Sequence, residues 1–453
     1  MPRLSRRAFL ATAALGAQTP HKQPPNFVFI MADDMGVFDL GCYGQKLIRT
    51  PNIDRLASEG MRFTDCYSGA TVCAPSRSVL MTGQHTGHTT VRWNASVRTG
   101  GRVSLKADDV TIAEVLKGPE WRDAFDDTRG YATAIFGKWG LGEPGTTGLP
   151  NDHGFDEWFG FLNQQHAHSH YPKYLWRNKT KETIHGNLDE RRREYASDLM
   201  CREALHFIDR HRYAPFFLFF TPTVPHAKFE APELGAYAQQ NWPDDAKNYA
   251  AMVTRMDDYV GRIMAKLKEC GLDGNTLVFF TSDNGGTFEF KPFGTMGPLR
   301  DRKGAAYEGG TRVPMIARWT GRIKAGAVSN FPWTFYDVLP TLADLADVRG
   351  IPNNVDGISV APTLFGKTQD SNRPLYWESF GGKEGFHQAV RMGKWKAVRH
   401  GVDGALELYD LAADAGESRN VAAANPEVVK KIETYLAGCR VDAAEYPVAR
   451  RRR

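Results

Sequence analysis

The sequence has little of what marks membrane-spanning, fibrous or disordered proteins. After its N-terminal segment, no apolar run approaches the roughly 20 residues that a membrane span needs. It has no internal repeat, and 42% hydrophobic with 24% charged residues excludes a disordered or collagen-like chain. We therefore expect no stable membrane insertion. A chain of 453 residues is long enough to bury a core without a disulfide framework.

The chain also has little net charge between its two ends. The formal charge is +5, but Arg3, Arg6, Arg7 and the four arginines at 450–453 contribute more than this excess. The remaining body is close to neutral, so its composition does not require the basic face that nucleic-acid binding uses. We therefore predict no nucleic-acid partner, and we interpret the arginine-rich tail as a solvated chain end.

Cysteine pairs with metal-binding or redox spacing are absent. The six cysteines form no Cys-x-x-Cys pattern, which excludes a zinc ribbon and a thioredoxin-like motif. They are Cys42, Cys66, Cys73, Cys201, Cys270 and Cys439. An exported protein can form disulfides, but these spacings identify no particular pair.

Residues 1–17 predict a secretory signal. A basic start is followed by a short run of small apolar residues at 11–17 and then by a polar segment. The run at 5–10, Ser-Arg-Arg-Ala-Phe-Leu, resembles a twin-arginine signal, although Ala11 stands where a lysine is common. The resemblance implies the twin-arginine export machinery as a partner and a periplasmic or extracellular location.

Four continuous apolar runs predict strands that are buried on both faces. They lie at 27–31, 133–136, 216–220 and 277–280, with a fifth candidate at 313–316. The first four are followed by charged or metal-binding side chains, namely Asp33 and Asp34, Lys138, His226, and Asp283 and Asn284. Ligands of α/β sheets bind beyond the carboxyl ends of the strands. The pattern therefore predicts one site assembled from distant segments.

Helical patterns between these strands predict an α/β fold. They begin at Thr50 and near Ser76, with further helices at 257–267 and 427–436. The composition changes after residue 357, where three short strand patterns follow one another. We therefore predict a catalytic domain at 26–365 and a smaller α+β subdomain at 366–453 that includes the arginine-rich tail.

The most specific segment is 73–83, Cys-Ala-Pro-Ser-Arg-Ser-Val-Leu-Met-Thr-Gly. A lone cysteine would be interpreted as a small buried apolar residue. This segment, however, resembles the signature of the type I, cysteine-type sulfatases, Cys-x-Pro-Ser-Arg followed by an apolar pair and Thr-Gly. The resemblance implies that a maturation enzyme converts Cys73 to formylglycine, whose hydrate is the nucleophile. It also implies an alkaline-phosphatase-like sandwich with a large mixed β-sheet flanked by helices, and a C-terminal subdomain with a short antiparallel sheet.

The resemblance extends to a metal site. Asp33, Asp34, Asp283 and Asn284 match the two pairs of metal ligands in the family, and residue 73 completes the set. Oxygen ligands of this kind suit Ca²⁺ better than Zn²⁺, so one Ca²⁺ is expected. Each pair taken alone is equally consistent with turn and capping chemistry.

Four further residues match catalytic positions of the family. Arg77 lies inside the signature, where it would orient and charge-balance the aldehyde hydrate. Lys138 and Lys303 match two lysines that contact the sulfate, and His226 matches a histidine that assists the leaving group. An ammonium suits the sulfate as a compact point charge.

The chain departs from the family where many members carry a histidine after Gly-Lys-Trp, because Gly140 occupies that position. His166, His168 and His170 follow closely, and an extended segment would place all three on one face. They could replace the missing base, bind zinc or line a pocket, and we favour a substrate-facing role. His85 and His88 either contact the sulfate site or cap the helix after the signature.

The leading interpretation is a sulfuric ester hydrolase that acts on a sulfated saccharide, with aryl sulfates as artificial substrates. One alternative is a phosphomonoesterase or phosphodiesterase of the same superfamily, which would use a serine or threonine and two zinc ions. Another is a catalytically silent protein that binds sulfated glycans. The choice of sugar, the oligomeric state and the maturation route stay open.

Overall fold

A computed structural model of the protein describes residues 24–118, 130–381 and 385–448. The predicted signal at 1–17 and the arginine tail at 450–453 lie outside the described residues. Within the described part, no helix combines the length and the apolar character that crossing a membrane requires.

The described chain alternates strands and helices. The strands are β1 (Asn26–Ala32), β2 (Met61–Phe63), β3 (Cys66–Tyr67), β4 (Ala132–Lys138), β5 (Glu157–Phe161), β6 (Tyr174–Arg177), β7 (Thr180–Thr183), β8 (Phe216–Thr221), β9 (Thr276–Ser282), β10 (Met315–Arg318), β11 (Ala327–Ser329), β12 (Trp333–Thr334), β13 (Pro374–Ser379), β14 (His387–Met392), β15 (Trp395–His400) and β16 (Leu406–Asp410). The helices are α1 (Pro51–Glu59), α2 (Cys73–Thr82), α3 (Ile112–Lys117), α4 (Ala196–Arg210), α5 (Asp244–Glu269), α6 (Glu308–Thr311), α7 (Val338–Leu345), α8 (Ala361–Leu364) and α9 (Pro426–Leu436).

A ten-stranded mixed sheet forms the centre of the fold, in the order β11-β2-β10-β9-β1-β8-β4-β5-β6-β7. Its middle strands β9, β1, β8, β4 and β5 are parallel, so their carboxyl ends share one edge. The fifth predicted strand begins at Met315 rather than at residue 313, and it runs antiparallel to β9. Pro314 has no amide hydrogen to donate, so pairing starts after it.

Both faces of the central strands are buried, which explains their continuous apolar sequences. Phe29 and Phe219 belong to a core on one face that also includes Leu80 of α2. Val28 and Ile30 belong to a second core on the other face, which includes residues of α1, α4 and α5. A strand covered on both sides gains by burying every side chain rather than every second one.

The C-terminal region forms a four-stranded antiparallel sheet in the order β13-β14-β15-β16. Ile432 and Leu436 of α9 join Val390 and Leu408 in a small core beside it. The predicted α/β class, large mixed sheet and short antiparallel sheet are confirmed. The proposed boundary between residues 365 and 366 stays a prediction.

Candidate active site

Parallel strands bring the predicted strand-end residues to one place. Asp33 follows β1, Asp283 follows the neighbouring β9, Lys138 ends β4, and His226 lies in the segment after β8. All four side chains are buried. The convergence that the sequence predicted is therefore present at the carboxyl edge of the sheet.

The helix α2 begins at Cys73 and ends at Thr82, and Gly83 follows it with a φ of 68°, the left-handed conformation that suits a glycine at a helix terminus. The Cys73 Sγ lies 3.7 Å from Asp33 Oδ1 and 3.3 Å from Lys303 Nζ. Burial raises the pKa of the Cys73 thiol to about 12. The unmodified side chain is therefore a neutral thiol at neutral pH, which is a poor nucleophile.

Asn94 fixes the start of this helix, and the sequence analysis did not identify it. Its Oδ1 accepts a hydrogen bond of 3.0 Å from the Ala74 amide. The amide groups at a helix N-terminus lack partners within the helix, so a side chain from elsewhere can satisfy one of them. Asn94 therefore holds the backbone next to Cys73 in place.

Three buried carboxylates face the buried cations Arg77 and Lys138 and the partly buried Lys303. Lys138 Nζ lies 2.8 Å from Asp33 Oδ2, and Lys303 Nζ lies 2.6 Å from Asp34 Oδ1. Burial alone would raise the pKa of Asp33, but Lys138, His226, Arg77 and Lys303 outweigh it and hold that pKa well below its usual range. Asp33 is therefore ionised at neutral pH.

Arg77 joins α2 to three strands of the sheet. Its Nη1 donates to the Lys138 carbonyl at 2.5 Å and to Thr221 Oγ1 at 2.7 Å, while Nη2 donates to Asp283 Oδ2 at 2.8 Å. The pKa of Asp283 is nevertheless raised, first by burial and then by the neighbouring Asp33. A rigid guanidinium with several donors suits this bridging position.

The residues present fit a hard divalent cation. Asn284 Nδ2 donates to Asp34 Oδ1 at 2.8 Å and to the Gly285 carbonyl, whereas the buried Asn284 Oδ1 has no hydrogen-bond partner. Ligand atoms of Asp33, Asp34, Cys73 and His226 all lie within 4.8 Å of one another. An unpartnered amide oxygen beside clustered carboxylates is the donor set that Ca²⁺ prefers.

Asp34 is held in an uncommon conformation. Its φ is 68°, in the left-handed region that side chains other than glycine rarely adopt. Thr287 Oγ1 donates to Asp34 Oδ2 at 2.7 Å, and Asp283 Oδ1 accepts from the Asp34 amide at 3.1 Å. Thr287 is a second residue that the sequence analysis did not identify.

His226 lies next to the carboxylates, with Nε2 3.5 Å from Asp34 Oδ2. Its Nδ1 is hydrogen-bonded to the Ala227 carbonyl, which accepts, so Nδ1 carries a hydrogen. His170 Nε2 lies 3.1 Å from the His226 carbonyl and 2.9 Å from the Lys228 carbonyl. The His170 Nε2–H thus supports the backbone that carries His226.

The expectation that His166, His168 and His170 share one face of an extended segment is wrong. Residues 166–168 form one turn of 3-10 helix, because Asn163 Oδ1 accepts from the His166 amide and Ala167 is buried in the core. His166 packs on the Tyr174 ring with centroids 4.4 Å apart. His168 stacks on the His226 ring at 4.7 Å with an interplanar angle of 20°.

Gly140 lies in a backbone conformation that favours glycine, and a side chain there would displace the amide of Gln164. Its φ is 83°, and a Cβ atom there would collide with the side-chain amide of Gln164. Arg102 Nη1 donates to Gln164 Oε1 at 2.9 Å and holds that amide in place. Gln164 therefore fills the space beside Gly140, which no sequence pattern indicated.

His85 and His88 lie beyond the opposite end of α2 from Cys73. A ten-residue helix spans about 15 Å, so this pair is remote from the carboxylates. Asp356 accepts from the His85 amide at 2.8 Å and lies 2.9 Å from His88 Nδ1. Of the two roles considered, the structure supports anchoring the end of the helix.

The fold agrees with comparisons to known proteins. The sequence model of the sulfatase family matches residues 25–348. A model described as the C-terminal part of N-sulphoglucosamine sulphohydrolase matches residues 301–442. N-acetylgalactosamine-6-sulfatase of Sus scrofa is 32% identical, over 87% of this chain and 77% of that protein. Arylsulfatase A of Bos taurus is 32% identical, over 96% of this chain and 91% of that protein.

Solved structures of other proteins have a similar fold. A crystal structure of Ps i-CgsB in complex with k-i-k-neocarrahexaose is similar with a TM-score of 0.79 and 28% identity. The similarity covers 94% of this chain and 95% of that chain. Phosphonate monoester hydrolase of Agrobacterium radiobacter, at 21% identity and a TM-score of 0.65, shares the fold.

Proposed function

The chain belongs to the sulfatase family and is a sulfate ester hydrolase, and we propose that its substrate is a sulfated saccharide and its nucleophile is formylglycine formed from Cys73. The observation that carries the proposal is the position of residue 73. It is buried at the start of α2, between Lys303 and the carboxylate of Asp33. A protonated thiol there would be a weak nucleophile, whereas the signature around it is that of a modified cysteine.

The chain's own residues supply charge and position around that atom. As a hydrated aldehyde, residue 73 would provide a nucleophilic oxygen and would release sulfate by returning to the aldehyde. Lys138 and Lys303 carry the two ammonium groups that neutralise the sulfate charge. Arg77 holds α2 in position against the ends of the strands through its hydrogen bonds to the Lys138 carbonyl and Asp283. His226 donates a proton from Nε2 to the oxygen of the departing alcohol.

We assign one Ca²⁺ to Asp33, Asp34, Asp283, Asn284 and residue 73. The unpartnered Asn284 Oδ1 and the clustered carboxylates support this assignment. When bound, the ion would offset carboxylate repulsion and hold the substrate's anionic oxygens. The alternative phosphatases with two zinc ions would need a nitrogen-rich ligand set, and the predicted set consists of oxygen donors.

A saccharide is the proposed substrate class for two reasons. The relatives include proteins named N-acetylgalactosamine-6-sulfatase, and a solved neighbour holds a neocarrahexaose. Aromatic side chains also lie next to the turn at 166–168, whose His168 stacks on His226, with Tyr174 packed on His166 and Trp176 near Tyr174. Aromatic rings of this kind suit the apolar faces of sugars. We further propose that a formylglycine-generating enzyme converts Cys73 and that residues 1–17 direct export of the protein.

The first test is the mass of the tryptic peptide 63–77 from enzyme purified from its native host. Formylglycine replaces one sulfur and two hydrogens with one oxygen, and fragmentation locates that change. Cys66 lies in the same peptide and serves as the unmodified control. We expect the change on Cys73 alone. An active enzyme whose Cys73 retains its thiol would overturn the proposed nucleophile.

A further inference from the structure

We propose that Phe288 binds the ring of the alcohol part of the sulfate ester by stacking against it. The inference rests on the proposed function and deepens it, because it names a residue that recognises the substrate outside its sulfate group. Among the described residues, three aromatic side chains are strongly exposed, namely Tyr213, Phe288 and Phe365. Single exposed apolar side chains are normal on a protein surface. These three differ in where they lie relative to the site.

Tyr213 and Phe365 lie at the edge of the large sheet that is opposite the site. Tyr213 comes before the amino end of β8. Phe365 packs on Trp319 with ring centroids 6.3 Å apart, and Trp319 follows β10, which runs antiparallel to β9. Phe288 instead follows the carboxyl end of β9, on the same side of the sheet as Asp283. Of the three exposed rings, Phe288 is therefore the one on the side of the site.

Thr287 connects Phe288 to the carboxylate of Asp34. Thr287 Oγ1 donates to Asp34 Oδ2 at 2.7 Å. Lys303 Nζ lies 2.8 Å from the same oxygen and 3.3 Å from Cys73 Sγ. Consecutive Cα atoms are about 3.8 Å apart, so the Phe288 backbone lies within about 9 Å of that oxygen. Phe288 is thus the first residue beyond the side chains that surround position 73.

Phe229 connects the same ring to His226. The rings of Phe229 and Phe288 lie 5.1 Å apart with an interplanar angle of 83°. His170 Nε2 donates to the carbonyls of His226 and Lys228, so the backbone that leads from His226 to Phe229 is held in place. A perpendicular ring contact covers at most one face of Phe288, in agreement with its exposed fraction of 38%. One face of the ring is therefore available beside His226.

The backbone and the neighbours of Phe288 fix its position. The buried Thr295 donates from Oγ1 to the Phe288 carbonyl at 2.7 Å, and Glu289 Oε2 accepts from the Met296 amide at 3.0 Å. The Phe290 ring lies 6.2 Å from the Phe288 ring and packs on the core beneath it. Binding a ligand to a ring that is already held costs little conformational entropy.

The proposed reaction places the alcohol on this side of the site. Lys138 and Lys303 hold the sulfate, and the alcohol oxygen leaves towards His226, next to which Phe229 and Phe288 lie. A sugar ring has an apolar face of C–H groups, which suits the negative face of an aromatic ring. This contact is remote from the bond that breaks and is the same before and during the reaction. It therefore lowers KM and leaves kcat unchanged.

The experiment compares Phe288→Ala with Phe365→Ala in matured enzyme. The substrates are para-nitrophenyl sulfate and a methyl β-galactoside that carries sulfate on its primary hydroxyl. We expect Phe288→Ala to raise KM about 3- to 10-fold for both esters, with kcat within about twofold of the wild type. Phe288→Tyr keeps the ring and should retain KM. Phe365→Ala is the matched control, because Phe365 is 40% exposed and lies at the opposite edge, and its KM should not change.

A second measurement uses binding without turnover. Cys73→Ala lacks the proposed nucleophile, so calorimetry measures the affinity for an intact ester. We expect para-nitrophenyl sulfate to bind Cys73→Ala/Phe288→Ala about 3- to 10-fold more weakly than Cys73→Ala. Inorganic sulfate has no ring and should bind both proteins with equal affinity. The Tm of each variant shows whether the fold is retained.

The outcomes separate this inference from the proposed function. An unchanged KM for para-nitrophenyl sulfate in Phe288→Ala overturns the inference, whether or not Tm falls, and this ester alone decides if the galactoside is not hydrolysed. An equal loss of affinity for inorganic sulfate also overturns it, because Phe288 would then act on the anion site. A matured wild-type enzyme that releases no sulfate from any ester instead refutes the proposed function, and the binding comparison in Cys73→Ala still tests Phe288.

Discussion

Two largely buried ionic clusters in this protein use the same residue types for different roles. The site cluster consists of Asp33, Asp34, Asp283, Arg77, Lys138 and Lys303. The junction cluster joins the large sheet to the C-terminal sheet and consists of Asp65, Glu308, Arg312, Arg391 and Lys396. In the junction cluster, Glu308 uses both oxygens, with Lys396 Nζ at 3.1 Å from Oε1 and Arg312 Nε at 2.7 Å from Oε2.

The site cluster contains an unpartnered polar atom and a residue in an uncommon backbone conformation. Asn284 Oδ1 is buried beside it without a partner, and Asp34 keeps a left-handed φ. Such features cost stability and persist where surrounding structure holds them, which is why they concentrate at functional sites. Comparing the two clusters shows that buried charge alone does not identify a site. An unpartnered oxygen and a left-handed φ do not identify it either, because the buried Glu417 beside the junction cluster has both. The site cluster is distinguished by ligand atoms of Asp33, Asp34, Cys73 and His226 that all lie within 4.8 Å of one another.

The largest effect we expect is on stability, from Lys396→Met in the junction cluster. The Lys396 side chain is fully buried and contacts Glu308 and Thr311. Removing it leaves the buried Glu308 carboxylate with less positive charge nearby, and breaking a buried pair costs about 3–5 kcal/mol. Urea unfolding of Lys396→Met against the wild type measures this cost. Adding Glu308→Gln should recover part of it, and a double variant as unstable as the sum of the single ones would contradict the pairing.

Lys138→Met in the site cluster is the matched change, and we expect it to act on activity. Lys138 is also fully buried and lies 2.8 Å from a carboxylate. Loss of one group that stabilises transition-state charge lowers kcat by about 10²- to 10³-fold. Sulfate release by Lys138→Met and by the folded fraction of Lys396→Met should therefore differ by that factor. Equal kcat values for the two variants would contradict the assignment of one cluster to activity and the other to stability.

Calcium should stabilise the protein through the site cluster. A ligand at 100 times its Kd that binds only the folded state adds about 2.7 kcal/mol to the free energy of unfolding. Raising Ca²⁺ from chelated to saturating levels should therefore increase the Tm of the wild type. Asn284→Ala removes the unpartnered oxygen and should reduce this increase. A full calcium effect in Asn284→Ala would exclude the amide as a ligand.

The opposite pKa shifts of two junction carboxyls predict how stability depends on pH. Burial raises the pKa of Glu417 to about 8, because Lys396 compensates only part of its effect, so the folded state holds a proton there. A raised pKa contributes stability that is present below about 4.5 and is lost as the pH rises towards 8. Glu417→Gln should therefore flatten the dependence of unfolding free energy between pH 5 and 8.

Glu308 provides the contrasting case for that measurement. Burial opposes its ionisation, but Lys396, Arg312 and Arg391 lower the pKa of Glu308 to about 2. A lowered pKa contributes stability that is present above about 4.5 and is lost as the pH falls towards 2. Glu308→Gln should therefore change how the free energy of unfolding depends on pH between about 4.5 and 2. A Glu417→Gln variant with the same slope as the wild type between pH 5 and 8 would show that Glu417 is ionised in the folded state.

Most of the site could be predicted from the sequence because its residues end apolar strands or lie in one contiguous motif. Asp33, Lys138 and Asp283 follow from the first pattern, and Cys73 and Arg77 from the second. Parallel pairing then brings strand ends together without further information. The same logic predicted the central strands of the sheet and helices α1, α2, α5 and α9.

The remaining parts depend on contacts between distant segments. Asn94, Thr287 and Gln164 are common loop residues, and nothing local shows that they face α2, Asp34 and Gly140. The turn at 166–168 depends on Asn163 as its cap and on burial of Ala167, so the alternation of histidines suggested the wrong backbone. Strand β14 was missed because its polar side chains are buried through partners such as Asp65.

The smallest effect we expect comes from an ion pair that resembles those in both clusters except in exposure. Lys173 Nζ lies 2.7 Å from Glu190 Oε1, as close as Lys138 lies to Asp33, but the two side chains are 59% and 81% exposed. Water and salt screen such a pair, and ordering two long side chains offsets the attraction. Lys173→Ala should therefore leave both Tm and kcat unchanged within error. A clear loss of Tm in Lys173→Ala would mean that distance, rather than burial, governs the strength of ion pairs in this protein.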